Sequence, residues 1–459
     1  MNAHRYSLPV SLAFLAACAN AESSDAGMGG MAGMNDTAGR GGTGGNGSSA
    51  QGGAADVGTG GEAESSGTAS GGALGIGGAT STAGATSTAG ATSTAGATGT
   101  DGFEATGRFY VVGKDIVGPD GNLFFPYGAN LAASIVRADG TLERPWTFDF
   151  GGTANGQSDA ALAWGWTAVR LTFVCYREDQ YASVDDLARS VAAIVDEYTA
   201  KHIVVMPECH DDTGQTLPLD DTRMQAVDAF WDRVIEAHGD NPYVWINPLN
   251  EPTSDPNDAG QVDYWRQIAQ HYLDKRNAAA AENVLVMDVP GWAQGARLIA
   301  DTDLGSALAQ DQCNMVFSWH AYGGEGATDT AQYERWYQRI QARGLALLIG
   351  EHGYAIDGTP TYSAIQWQDS VDATDLVLSL GKEYGVGSLA WHGTGDSGAS
   401  IQFSLMADYQ QADTAGFWNG SNGEGLSELG QKVWDAGHDK PRLSAFAGSL
   451  AASHCPSAQ

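Results

Sequence analysis

Two glutamates stand where glutamates are costly. The stretch "YVWINPLNEP", Tyr243 to Pro252, runs through Val244, Trp245, Ile246 and Leu249 and then ends on Asn250 and Glu251. A second apolar run, "LALLIGE" at 345–351, closes on Glu351 with His352 next to it. A buried carboxylate is expensive unless something pairs with it, so a core-bound run that stops on one either exposes it or uses it. Two carboxyl groups facing one another across a cleft suit the cleavage of a glycosidic bond. One holds a proton for the departing oxygen, and the other is a carboxylate that attacks or activates water.

Other chemically capable residues lie within or just after other apolar runs: Asn130, Arg170, Glu208 with His210, Asp288, His320 with Tyr322, and Trp391 with His392. For either glutamate alone, a helix cap after Pro252 or an ion pair with Arg170 is a sufficient account. It does not suffice for two acids, an arginine, several histidines and a tryptophan delivered to one place, since each would otherwise need separate desolvation.

The elements that deliver them are eight strand-like runs, at 124–131, 168–173, 202–209, 243–250, 283–289, 314–320, 345–351 and 385–392. Between them, "VDDLARSVAAIVDEYTAK", "MQAVDAFWDRVIEAH" and "YERWYQRIQARG" show helical spacing of apolar residues. Nearly unbroken hydrophobicity within the runs says that both sheet faces are covered, so the fold class is α/β, a (β/α)8 barrel. Its active site belongs at the C-terminal ends of the strands, where runs four and seven face each other across the mouth. Ahead of the first run, "RFYVVGKDIVGPDGNLFFPYG" places two short apolar runs around the turn "GPDGN", a small N-terminal β-hairpin closing the base. Trp245 precedes the rim and is read as packing outward.

The ends of the chain differ from this region. Residues 1–18, "MNAHRYSLPVSLAFLAAC", have the charge, apolar stretch and small residues of an export signal. "LAAC" resembles the lipobox of bacterial lipoproteins, which implies lipid on Cys18; plain secretion with cleavage near "ANA" is the alternative. Residues 19–102 form a Gly/Ala/Ser/Thr-rich linker, with "STAGAT" three times between Ser81 and Thr98, read as a disordered tether. Residues 103–459 are the catalytic domain. The expected localisation is therefore exported, at the cell surface or released, with membrane attachment only through the lipid.

A formal charge of −32, from 55 acidic and 23 basic residues, repels phosphate backbones, so nucleic acid is excluded as a partner. Besides Cys18, Cys175, Cys209, Cys313 and Cys455 make an even set with no C-x-x-C pair. Disulfides are expected; of the three pairings, adjacency in a barrel selects Cys175–Cys209, leaving Cys313–Cys455. The histidines come one per run without H-E-x-x-H spacing, so no metal and no cofactor is expected.

"WINPLNEP" and "LLIGEHG", with "AVRLTF", "PECHDDTG", "MVFSWHAY" and "GSLAWH", resemble glycoside hydrolase family 5, a retaining (β/α)8 family, over roughly Arg108 to Gly437. "CHDDTG", "GW.Q" and the closing "FWNGSNGEGLSELGQKVWDAG" are most similar to its bacterial endo-β-1,4-mannanases. The resemblance implies Glu251 as acid/base and Glu351 as nucleophile. It implies that Asn250 binds the sugar 2-hydroxyl and that Arg170 keeps the nucleophile ionised. His210, His320 and Tyr322 would form the polar wall of the −1 subsite, and Trp391 its floor. Indole faces at Trp391 and Trp292 suit the apolar faces of sugar rings. His352 and "AWHGTGD" depart from the usual wording of the family at those positions. The resemblance implies a monomeric endo-acting enzyme on neutral plant-type β-mannan, with β-1,4-glucan as the alternative substrate. A noncatalytic polysaccharide-binding lipoprotein is disfavoured by the intact pair of glutamates.

Overall fold

The computed structural model describes residues 103–143, 156–175, 183–310, 314–323, 330–355, 364–393, 403–407 and 425–438. The export signal, Cys18, the linker, Asp396 and the Cys313–Cys455 pairing lie outside the described residues.

In chain order the strands are β1 (Tyr110–Val112), β2 (Asp115–Val117), β3 (Tyr127–Ala132), β4 (Ile135–Val136), β5 (Leu142–Glu143), β6 (Ala168–Phe173), β7 (Val204–Cys209), β8 (Leu285–Asp288), β9 (Met315–Ala321), β10 (Ala346–His352) and β11 (Gly387–Ala390). The helices are α1 (Ser158–Ala163), α2 (Val184–Thr199), α3 (Thr222–His238), α4 (Ala259–Ala278), α5 (Ala296–Asp301), α6 (Leu304–Ala309), α7 (Thr330–Ala342), α8 (Ala364–Tyr384) and α9 (Glu428–His438). Seven strands form one parallel sheet in the order β7-β6-β3-β11-β10-β9-β8.

The remaining run, 243–250, joins the two edges of this sheet. It pairs through isolated parallel bridges only: Val244 with Val205, Asn247 with Glu208, and Ile246 with Leu285. Pro207 on the neighbouring strand and Pro248 at the end of the run both lack a backbone donor, which interrupts the ladder along this seam. The result is a curled sheet forming a near-complete barrel, with helices around it.

Strand alternation sorts the side chains. On β6, Val169, Leu171 and Phe173 join the large cluster beneath the helices, whereas Ala168 belongs to a second cluster inside the barrel with Val204, Met206, Val286, Val316, Leu348 and Leu389. Helix starts agree with their sequences: Ser183 accepts from the Asp186 amide at α2, and Asp221 from the Arg223 amide at α3.

Trp245 lies inside the barrel, correcting the outward reading. It is fully buried, with Phe109 and Phe124 set edge-on to it at 5.3 and 5.7 Å between ring centres. These rings plug the base from the N-terminal hairpin. The hairpin turn also differs from expectation: β1 and β2 pair across Gly113–Lys114, while "GPDGN" makes a second turn that returns the chain to the Val117–Leu123 bridge and Phe124. At the other end of the chain, the Tyr127 hydroxyl on β3 donates to the Val433 carbonyl of α9 at 2.6 Å, spanning 306 residues.

Trp245→Ala would leave a cavity beside the Phe109 and Phe124 rings and should cost about 3–5 kcal/mol, read as a lowered urea midpoint with unchanged slope. A loss below about 1 kcal/mol would show that the plug does not depend on this indole.

Candidate active site

Arg170 has no exposed surface, and all five of its N–H donors are used. Nε donates to Asn247 Oδ1 at 2.6 Å; Nη1 to Asn130 Oδ1 at 3.0 Å and Glu351 Oε1 at 2.7 Å; Nη2 to Asn250 Oδ1 at 2.8 Å and Asp288 Oδ2 at 3.2 Å. Burial alone would weaken the guanidinium's hold on its proton, but Glu208, Asp288, Glu351 and Glu251 surround it and raise its pKa. Gly350 leaves room for this arrangement. A Cβ there would meet Ser318 Oγ at 2.1 Å and His320 Nε2 at 2.9 Å.

Glu251 and Glu351 face each other, with a carboxyl oxygen of each and a ring nitrogen of His320 all within 4.8 Å of one another. Their surroundings differ. Glu351 accepts from Arg170 on Oε1 and from the Tyr322 hydroxyl on Oε2, at 2.7 and 2.8 Å. Among the described residues Glu251 has no guanidinium partner; its Oε1 lies 2.8 Å from His320 Nδ1. Burial pushes the Glu251 carboxyl up to about 7, with the Glu351 charge adding to the rise and the bond to His320 and its charge opposing it.

Burial would discharge His320, but the Glu351 and Asp288 carboxylates and its bonds to Asp288 and Glu251 raise it to about 10. Asp288 is held well below the usual carboxylate range. Burial opposes this, but the charges of His320 and Arg170, a bond from His320 and the Glu251 amide prevail.

His210 follows β7. Its Nδ1 lies 2.7 Å from Glu208 Oε1, and its ring stacks on Trp391 at 5.1 Å and 14°. Burial lowers the imidazole's affinity for a proton, yet the charge of Glu208 and the bond to it carry it up to about 9. Cys209, between Glu208 and His210, is disulfide-bonded to Cys175 just beyond β6, as adjacency predicted, and its carbonyl accepts from the Asn250 amide. The Asn250 side chain is fixed from both ends, since its Nδ2 donates to Thr213 Oγ1 at 3.0 Å.

Trp292 lies on the rim against Gly214, where a Cβ would strike the indole at 2.1 Å and where φ is +74°. The rim loops are tied together there: the Gly214 amide donates to the Glu251 carbonyl, and the Trp292 amide to the Thr253 carbonyl. His352 and His392 are buried, and burial first of all, joined for His392 by the charge of His210, lowers each to about 3.

The structure thus gathers Arg170, His210, Asn250, Glu251, His320, Tyr322, Glu351 and Trp391, and sets Trp292 at the edge. Sequence reading missed Asn247 and Thr213 and gave Glu208 and Asp288 no task. Asn247 was signalled by a polar side chain inside an otherwise apolar run, and Thr213 by nothing beyond its loop. Glu251, His320 and Glu351 are close enough to clasp an ion. However, Arg170 and Tyr322 already bond both Glu351 oxygens and His320 favours its protonated form, a donor set suited to proton transfer.

A near-closed parallel β/α barrel whose strand ends gather an opposed pair of carboxyl groups, one bound by arginine and tyrosine, is the framework of a glycoside hydrolase. The family profile described as Cellulase (glycosyl hydrolase family 5) matches residues 133–397, over half of the chain. The chain belongs to glycosyl hydrolase family 5. It is 27% identical over 259 residues to a mannan endo-1,4-beta-mannosidase of Streptomyces lividans, covering 54% of this chain and 62% of that protein. To the enzyme of the same name from Cellvibrio japonicus it is 25% identical, covering 48% and 47%. An endoglucanase of Microbulbifer sp. is also 25% identical, covering 54% and 46%. The chain therefore spans about half to three fifths of the length of these relatives. In fold it resembles the β-mannanase of Streptomyces thermolilacinus solved with mannohexaose, with TM-score 0.54 and 22% identity over 74% of this chain and 99% of that one. It also resembles the mannanase catalytic domain from Streptomyces sp. SirexAA-E, with TM-score 0.53 and 23% identity over 73% and 91%.

His320 and His210, raised from 6.5 to about 10 and about 9, contribute stability that is complete below pH 6.5 and lost as pH climbs through those values. The urea midpoint should therefore fall steadily from pH 6.5 to 10. His210→Gln should flatten part of that slope, and an unchanged slope would count against a charged His210.

Proposed function

We propose that the protein is an endo-acting retaining hydrolase of β-1,4-mannosidic bonds in mannan, glucomannan or galactomannan. The observation that carries the mechanism is the close, asymmetric carboxyl pair: oxygens of Glu251 and Glu351 approach within 4.8 Å, with arginine and tyrosine on one and a raised pKa on the other. Retaining enzymes hold their two carboxyl groups about 5–5.5 Å apart, whereas inverting ones leave room for water at about 6.5–9.5 Å.

Glu351, bonded by Arg170 and Tyr322, attacks the anomeric carbon while Glu251 gives its proton to the departing oxygen. Forming the glycosyl ester removes the Glu351 charge, one of the causes that raise Glu251. Glu251, its proton already passed to the leaving group, is then favoured as the carboxylate and serves as base for the incoming water. Asn250, clamped between Arg170 and Thr213, is the amide for the sugar 2-hydroxyl, and the Trp391 indole lies beneath the ring.

Mannan and cellulose differ at the 2-hydroxyl, so a site that fixes Asn250 and His210 around that oxygen can discriminate, whereas a stacking surface accepts either sugar. The mannosidase relatives and the "CHDDTG" loop support mannan. The endoglucanase relative supports β-1,4-glucan as the second reading. The export signal and tether read from residues 1–102 belong to the same proposal: an enzyme meeting its polymer outside the cell.

Glu351→Ala should abolish turnover, and azide should restore it on activated glycosides, giving a glycosyl azide of inverted configuration. Glu251→Ala should lose about 10²–10⁴-fold on polymer yet spare substrates whose leaving group needs no proton. Purified protein should release mixed oligosaccharides quickly from linear mannan and slowly from amorphous cellulose. The reverse order would transfer the assignment to glucan, and a first product of opposite anomeric form would refute retention.

A further inference from the structure

Asp288 ends β8 fully buried, and the reaction outlined above gives it no task. Its Oδ2 accepts from the Glu251 amide at 3.0 Å and from Arg170 Nη2 at 3.2 Å, and lies 3.4 Å from His320 Nε2. Its Oδ1 accepts from Asn247 Nδ2 at 3.3 Å, and its carbonyl accepts from the Trp265 indole N–H at 2.6 Å. Glu251 itself has φ +44°, a left-handed conformation that costs a non-glycine residue energy and persists only where surroundings hold it. The carboxylate receiving its amide is such a restraint.

The same oxygen reaches Glu251 by a second route. His320 stands between the two acids, with Nε2 toward Asp288 and Nδ1 bonded to Glu251 Oε1. Asp288 favours the doubly protonated ring, so Nδ1 is the donor in that bond. Oε1 of Glu251 is then occupied as an acceptor, and the transferable proton is left to Oε2.

We propose that Asp288 is the positioning residue of the acid/base: through the Glu251 amide and the His320 ring it sets where Glu251 carries its proton and how readily it releases it. This rests on the assignment of Glu251 made above. The other charged or titratable groups facing this pair are Arg170 from β6, Glu208 and His210 from the end of β7, Tyr322 after β9 and Glu351 from β10.

Asp288→Asn keeps the volume and an acceptor for the Glu251 amide but removes the charge. His320 then loses an anion that favours its protonated form, and with it the positive charge that lowers Glu251. The alkaline limb of the kcat/KM profile on mannan should move up by about one pH unit. kcat should fall about 10²-fold while KM changes little. If the Asn variant does not fold, His320→Gln, which retains a donor to Glu251 without the charge, should move the limb in the same direction. A limb that coincides with that of the wild type in whichever variant is measured would overturn the inference, whether or not activity falls. The wild-type limb, and its loss in Glu251→Gln with activated glycosides, reports on Glu251 itself, so failure of that assignment would be seen separately.

Discussion

A buried guanidinium with five acceptors governs this molecule. Arg170 has no water to fall back on, so each of its N–H groups must meet an oxygen, and those oxygens come from β3, β8, β10 and both Asn247 and Asn250 of the bridging run. An unsatisfied or unpaired group at this depth is strongly destabilising, whereas the complete set offsets the desolvation. The condition is met in one strand register only, because a slip of one residue turns Arg170 toward the helices and Leu171 toward the site. The barrel's geometry and the placement of the acids are therefore one requirement.

The charge balance follows from the same set. Glu208, Glu251, Asp288 and Glu351 lie buried around Arg170, His210 and His320, and Asp211 is buried next to His210. Glu251 has no guanidinium contact among the described residues and is the one pushed up, which under the proposed function makes it the proton donor. Beneath this layer the Phe109, Phe124 and Trp245 plug excludes water from below, which strengthens every interaction above it.

Much of this was legible in the sequence because the polar residues interrupt apolar runs at their ends. Glu251, His320 and Glu351 announced themselves in that way, Arg170 as a charge inside the run 168–173, and Cys175 and Cys209 by the adjacency of their strands. Trp245 was misread because both faces of a covered parallel strand are apolar, so no alternation of polarity reveals which side is inward. The bridge-only pairing of its segment depends on two prolines acting across a seam, and only the three-dimensional partnering of Pro207 with this run exposes it. Thr213 escaped notice because small polar residues are ordinary in loops, and Asn247 because the acid at the end of its run drew the reading away from the amide inside it. Their value lies in which atom they face, and spacing does not encode that. The hairpin was anticipated but its turn was shifted, since Gly113–Lys114 and "GPDGN" are both competent turns and the chain uses each.

The bond from Tyr127 to Val433 joins the first strand of the barrel to its last helix, 306 residues away. Closing so long a loop early is entropically unfavourable, and each doubling of loop length adds only slowly to that cost, so the contact forms once much of the intervening chain is already in place. A nascent chain lacking α9 leaves the Tyr127 hydroxyl without its acceptor and uncovers the flank of β3, although β6 and β11 already pair both of its edges. Assembly of this protein is thus weighted toward a helix that is made long after the strand it packs on, and in the interval the flank of β3 stays open to water and to other chains.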